Sequence, residues 1–176
     1  MASSASLDIR DWIRDIPDFP KPGVLFKDIT PLLSNPEAFR ATIDQFEERF
    51  RDAGVDAIAA AEARGFIFGA PLALRLGAGF VPIRKPGKLP YATIAQEYAL
   101  EYGNDRLEVH SDALGPGRRV LLLDDVLATG GTMRACRELV TSTGADLVAC
   151  AFVLELSFLN GRAKLEPSDV FSLVVY

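Results

Sequence analysis

The spacing of apolar residues divides the chain into alternating helical and extended stretches. Ile9, Trp12, Ile13 and Ile16 recur at helical intervals and predict a first helix with one apolar stripe, ended by Pro17. The segment PDFPKPG that follows has three prolines in six residues and reads as a stiff extended connection. VLFKDIT after it fits either helix or strand. Asn35 before Pro36 has the form of an N-cap followed by proline at the first helical position, and Phe39, Ile43, Phe46 and Phe50 carry the helix on to a stop at Gly54. Residues 55–61 are apolar except for Asp56 and predict a strand buried on both faces, as a parallel sheet requires. A helix over residues 66–77 follows, then strands over 80–83, 120–123 and 147–154, with a helix over 132–143 between the last two. Strands alternating with helices predict an α/β fold, a single domain built on a mostly parallel open sheet flanked by helices. One stretch interrupts the alternation, RKPGKLPYATIAQEYALEYGNDRLEVH. Here residues 96–102 and 106–110 form a hairpin candidate across Gly103-Asn104-Asp105. Residues 84–110 are thus expected to be an inserted lid, with few core-facing positions before residue 103, and residues 1–34 a small N-terminal hood.

Composition narrows the function classes. A length of 176 residues suits one domain, and 49% hydrophobic with 24% charged residues is ordinary globular usage. A net charge of −5 argues against a broad nucleic-acid-binding face, while leaving room for a small anion held by a few local cations. Cys136 and Cys150 sit in apolar or helical contexts and read as reduced, buried thiols; with His110 as the lone histidine they cannot complete a zinc set. The N-terminus lacks an apolar signal region and no uncharged run is long enough to span a bilayer, so a cytoplasmic protein without a membrane partner is expected.

The most informative stretch is VLLLDDVLATGGT, residues 120–132: a buried strand, two acids, and a small-residue turn leading into a helix. Open α/β sheets bind ligands beyond the carboxyl ends of their strands, where Asp124 and Asp125 are expected to emerge. In the turn, Ala128, Thr129, Gly130, Gly131 and Thr132 would expose successive backbone N–H groups at a helix N-terminus, and two glycines remove Cβ atoms that would block a close oxygen. The threonine hydroxyls add donors, and the carboxylates can accept from the vicinal hydroxyls of a ribose. Taken singly, the acids could be a solvated loop and the turn a plain helix start. Competing phosphate loops do not occur: Gly87-Lys88-Leu89 lacks the Ser or Thr of a P-loop, and there is no G-x-G-x-x-G.

These thirteen residues resemble the phosphoribosyl-pyrophosphate (PRPP) motif of the type I phosphoribosyltransferases, which has four apolar residues, two acids, and a turn ending in Thr-Gly-Gly-Thr. The segments PDFPKPGVLFKDITPLL, ARGFIFG, IRKPGKLP, LEYG and FSLVVY, in that order, extend the resemblance over nearly the whole chain and narrow it to the adenine phosphoribosyltransferase family. That resemblance implies the type I phosphoribosyltransferase fold. It also implies a reaction joining adenine to PRPP to give AMP and pyrophosphate, with Mg²⁺ carried largely by PRPP, in a homodimer. Asp124, Asp125 and residues 128–132 would hold the ribose and phosphate of PRPP and AMP. Arg64, Arg84, Lys85 and Lys88 would meet the pyrophosphate; each could equally be a solvated surface cation.

The resemblance places backbone groups of Leu25 and Lys27 on the edge of adenine, the Phe26 ring on its face and Leu159 on the other side, although by residue type alone Phe26 could be a core aromatic. Enzymes for 6-oxopurines usually have an aspartate at the position of Ala128; here the proton-handling carboxyl falls by resemblance to Glu101 in LEYG, otherwise one of several acids beside a hairpin turn. One departure from the family is Ala63, where relatives often have a serine.

Overall fold

The computed structural model describes residues 7–99 and 104–176. It divides into two compact units, Met1–Phe46 and Glu47–Tyr176.

In the first unit the expected amphipathic helix is replaced by a single 3-10 turn, Ile9–Trp12, capped by Asp8, whose side chain accepts from Arg10 N–H at 2.9 Å. The chain then enters strand β1, Arg14–Pro17, which pairs antiparallel with β2, Leu25–Asp28. The physical reason is that eight residues closed by a proline are too few to sustain an isolated helix, and β-branched Ile13 and Ile16 favour extended backbone. Cross-strand ion pairs Arg14–Asp28 (2.7 Å) and Lys27–Asp15 (2.6 Å) fasten the hairpin. The ambiguous VLFKDIT therefore resolves into β2 and the start of α1, Thr30–Ser34. Helix α2, Pro36–Phe50, begins as the sequence predicts: Asn35 Oδ1 accepts from the N–H groups of Glu37 and Ala38, both at 2.9 Å.

The second unit holds β3 (Ala57–Ala61), α3 (Arg64–Leu76), β4 (Gly79–Ile83), β5 (Thr93–Ala99), β6 (Asn104–His110), β7 (Arg119–Leu127), α4 (Gly131–Ser142), β8 (Asp146–Glu155), 3-10 turns at Ser157–Leu159 and Gly161–Leu165, and β9 (Val170–Val175). Five strands form one parallel sheet in the order β4-β3-β7-β8-β9. All five residues of β3 are buried, four of them alanines. Small side chains there let α3 lie close; a Cβ added at Gly69 would come within 2.8 Å of the Phe80 ring. The helix ends on Gly77 in the left-handed region at φ 65°, a cap that glycine adopts without strain.

On the opposite face, Met133, Cys136, Leu139 and Val140 of α4 share one core with Ala57, Ala59, Leu122, Cys150 and Phe152. The expected hairpin forms from β5 and β6, starting three residues earlier than its sequence signal, and it is anchored in this core: Leu107 and Val109 are buried, with Ile94 and Tyr98 packed alongside. The scarcity of core-facing positions expected before residue 103 is thus only partial. Within residues 84–103 Ile94 and Tyr98 supply those contacts, while Leu107 and Val109 alternate with polar residues along β6.

Candidate active site

The sheet order places a topological switch point between β3 and β7, because the chain leaves β3 towards β4 on one side and later resumes on the other. Strand β7 is longer than its apolar run. It pairs with β3 as far as Leu123, opposite Ala60, and with β8 onward through Asp124 to Leu127. The two acids therefore lie within the strand rather than beyond its end, at the point where β7 has lost one neighbour.

Both side chains reach the first turn of α3 and interact with each other. Asp125 is only 3% exposed. The Arg64 Nε lies 2.7 Å from Asp125 Oδ2, yet off the line a hydrogen bond needs, so that oxygen is buried beside a cation with no hydrogen bond made to it among the described residues. Asp124 Oδ1 accepts from Asp125 N–H at 2.9 Å. Burial, and then the charge of Asp125, push the Asp124 carboxyl well above the ordinary carboxylate range. Burial raises Asp125 too, against the pull of Arg64. The first turn of α3 closes over this strand end because residue 65 is glycine: a Cβ there would lie 3.0 Å from the Leu123 carbonyl and 3.1 Å from Asp124 Oδ1.

The glycine turn follows at once. Gly130 caps α4 in the left-handed region (φ 76°) and, as a glycine, gives the helix start no side-chain hydrogen bond. The first N–H groups of α4 therefore keep their capacity for an anion. The two glycines differ in what they make possible. A Cβ on Gly130 would meet the Gly161 carbonyl at 2.5 Å, whereas one on Gly131 would meet nothing within 4 Å. Gly130 thus serves the packing and conformation of the turn, and Gly131 keeps its open side clear. Thr129 and Thr132 are exposed, and Ala128 is half-buried with its carbonyl against Gly161.

Three of the predicted cations stand near this edge with partners of their own. Arg64 faces Asp125, as above. Arg84 Nε donates to Glu62 Oε2 at 2.7 Å, and its backbone exchanges hydrogen bonds with Glu108 on β6. Lys85 Nζ lies 3.4 Å from Asp105 Oδ2. Lys88 is exposed, its carbonyl accepting from Arg84. The hairpin is tied to the glycine turn by Tyr98, whose hydroxyl donates to Asp105 Oδ2 at 3.1 Å and is bonded to the Thr132 side chain. Burial raises the pKa of that phenol. Leu159, 39% exposed, precedes the Gly161 that packs against the turn, so it is brought to the same edge.

Leu25, Phe26 and Lys27 belong to β2 of the first unit, where Leu25 is exposed and the Phe26 ring meets Phe19 edge-on at 5.1 Å. Glu101 lies outside the described residues. Sequence reasoning missed Glu62, Tyr98, Gly161 and the ion pair of buried Glu155 with exposed Arg162. Only Asn160-Gly161 carried a local signal, as a turn dipeptide.

Comparison with known proteins agrees with this geometry. The model of the phosphoribosyl transferase domain matches residues 28–174. The adenine phosphoribosyltransferase of Maridesulfovibrio salexigens is 58% identical over 168 residues, 96% of this chain and 99% of that protein. Among solved structures, the adenine phosphoribosyltransferase of Thermoanaerobacter pseudethanolicus superposes with a TM-score of 0.92 at 54% identity, covering 96% of this chain and 98% of the other. The Saccharomyces cerevisiae enzyme, solved with an imino-altritol bisphosphate and adenine, gives 0.89 at 44% identity over 94% of this chain and 96% of its own. With acids, glycine turn and arginine gathered at the switch point of a parallel sheet, and relatives this similar over almost their whole length, the chain belongs to the adenine phosphoribosyltransferase family.

Proposed function

We propose that the protein transfers the 5-phosphoribosyl group of PRPP to N9 of adenine, giving AMP and pyrophosphate. The observation that carries the reading is the switch-point site itself, where a partly buried acid pair lies one short turn before an uncapped helix N-terminus. The Asp124 and Asp125 carboxylates accept from the ribose hydroxyls, and the N–H groups and hydroxyls of residues 129–132 hold the 5-phosphate. Mg²⁺ would be carried largely by PRPP, where it would balance the charge of the phosphates.

In the displacement the N9–C1′ bond forms as the C1′–oxygen bond to pyrophosphate breaks, the bonding pair leaving with pyrophosphate and the ribosyl group passing through oxocarbenium-like character. Arg64, Arg84, Lys85 and Lys88 balance the charge that departs. Glu101 hydrogen-bonds N7 of the base and takes part in moving its proton. That assignment, and those of Leu25, Phe26 and Lys27 to adenine, rest on sequence resemblance. The yeast relative solved with adenine supports the choice of base.

The working form is taken to be a homodimer; Ile67 and Leu74 on α3, 38% and 84% exposed, are apolar surface available to a second copy. A cytoplasmic setting suits two buried free thiols, and no helix among the described residues is long and apolar enough to cross a membrane. The test is product formation from PRPP, Mg²⁺ and a panel of bases. AMP formed with adenine, and little product from hypoxanthine or guanine, is the expected result. Turnover of a 6-oxopurine in preference to adenine would overturn it.

A further inference from the structure

The chain leaving β8 makes a short loop, residues 156–161, whose two ends are joined by one ion pair. Glu155 is 4% exposed, and both its oxygens are met: Oε1 by Arg162 Nε at 3.0 Å, and Oε2 by Arg162 Nη2 at 2.6 Å and Ser172 Oγ at 2.7 Å. The remaining guanidinium nitrogen, Nη1, donates to the Val170 carbonyl at 2.8 Å. A buried carboxylate is costly unless its lone pairs are engaged, and here they are. The arginine hydrogen bonds hold the Glu155 carboxyl below its ordinary range. Using all three nitrogens of a planar fork also fixes the orientation of Arg162, and so of the backbone that carries it.

That backbone touches the phosphate turn. Residue 161, next to Arg162, can only be glycine, since a Cβ there would stand 2.2 Å from the Ala128 carbonyl and 3.1 Å from Gly130 N. At the other end of the loop, Leu156 N–H donates to the Leu127 carbonyl at 2.9 Å. The loop is thus laid along residues 127–130 and closed at its neck by the ion pair. Between these contacts it presents Phe158 and Leu159, 72% and 39% exposed.

We propose that Glu155 and Arg162 are a positioning pair for the reaction, fixing the spacing between the base-facing Leu159 and the phosphate-holding turn. This rests on the PRPP and AMP reading given above. Neither residue touches substrate. Their effect is felt by a ligand that spans both halves, a purine joined to a ribose 5-phosphate, and much less by one that occupies only the phosphate turn.

The test uses the full chain with R162K, which keeps the charge and loses the fork, and E155Q, which keeps an acceptor oxygen and loses the charge. Dissociation constants for AMP and for ribose 5-phosphate are measured by calorimetry, beside Tm and the KM values for adenine and PRPP. In each variant AMP should weaken by about tenfold and ribose 5-phosphate by less than about twofold, with KM for adenine rising more than KM for PRPP. A merely structural pair would lower Tm and leave the ratio of the two dissociation constants as in the wild type. That unchanged ratio in both variants overturns the proposal. Wild-type protein that makes no AMP would instead remove the reaction reading, so the two failures are distinguishable.

Discussion

Substituting the two glycines of the phosphate turn singly should separate packing from ligand approach. In G130A the added methyl sits at φ 76° and 2.5 Å from the Gly161 carbonyl, a backbone atom that cannot step aside as a flexible side chain would. The left-handed conformation costs about 1–2 kcal/mol for a non-glycine residue. Overpacking adds about 1–3 kcal/mol. Together these predict a loss of about 2–5 kcal/mol, or roughly 5–15 °C in Tm for a chain of this size.

G131A is the opposite case. Its methyl meets nothing within 4 Å and lies in the first turn of α4, where alanine is the better helix former by up to about 1 kcal/mol. Its Tm should hold or rise by up to about 3 °C. The same methyl would stand where the 5-phosphate must approach the N–H groups, and forfeiting one or two charge-assisted hydrogen bonds at about 1.5–3 kcal/mol each weakens AMP by about tenfold or more. Thermal melts and calorimetric titration with AMP measure both quantities. If G131A bound AMP as tightly as wild type, the open side of the turn would not be the phosphate site. An unchanged Tm in G130A would remove the role given to the Gly161 contact.

Three further outcomes are expected. E101A should lower kcat by ~10²–10⁴-fold with PRPP affinity nearly unchanged, and full activity in that variant would take Glu101 out of the mechanism. Because the folded-state pKa of Asp124 is raised, its carboxyl costs nothing below the unfolded value of 3.8 and destabilises the fold increasingly as pH rises through the folded value. D124N should therefore be more stable than wild type at neutral pH, with the gain shrinking in melts run towards pH 4, while ribose 5-phosphate binding is lost; a gain independent of pH would contradict the sign. Y98F keeps the packed ring but removes the bonds to Asp105 and Thr132, so amide exchange in β5 and β6 should quicken at a cost of about 1 kcal/mol in stability, and unchanged exchange would mean that the hydroxyl does not tie the hairpin down.

What could be read from the sequence was what is carried by local pattern. The alternation of β3, α3 and β4, the cap at Asn35, and the acids with their glycine turn all declare themselves in residues close together in the chain. The failures are of two kinds. Ile9, Trp12, Ile13 and Ile16 have helical spacing, but that segment is short and its backbone is claimed by a partner strand, which a periodicity cannot report. The hairpin buries Leu107 and Val109 in the core shared with the parallel sheet and α4, a long-range contact that the strand's own alternation does not name.

The long-range partners of the site were hidden for the same reason. Gly161 lies thirty-one positions after Gly130 and Tyr98 thirty-four before Thr132. Nothing near either residue in the chain states what it will touch. Both glycines were expected to be bare so that phosphate could approach; that a Cβ on Gly130 would meet the Gly161 carbonyl, and one on Gly131 nothing within 4 Å, could not be read from the dipeptide.

Several local rules of folding are broken together at one place in this protein. Two adjacent carboxyls are withdrawn from water on β7, one with an oxygen that receives no hydrogen bond among the described residues. The strand that carries them loses a neighbour as they begin. The helix behind them starts on a left-handed glycine with no side-chain cap, and a second glycine accepts a carbonyl where no other residue fits. Each feature alone costs stability: buried carboxyls resist ionisation, an unpaired strand edge leaves backbone groups unsatisfied, and an uncapped helix start forgoes about 1 kcal/mol. Two of them, the buried carboxyls and the uncapped helix start, would be relieved by one kind of molecule, a phosphorylated sugar that brings hydroxyl donors to the acids and anionic oxygens to the helix. That they converge on the switch point of the sheet, while Asn35 and Gly77 obey the rules elsewhere, supports the proposed site on physical grounds independent of any relative.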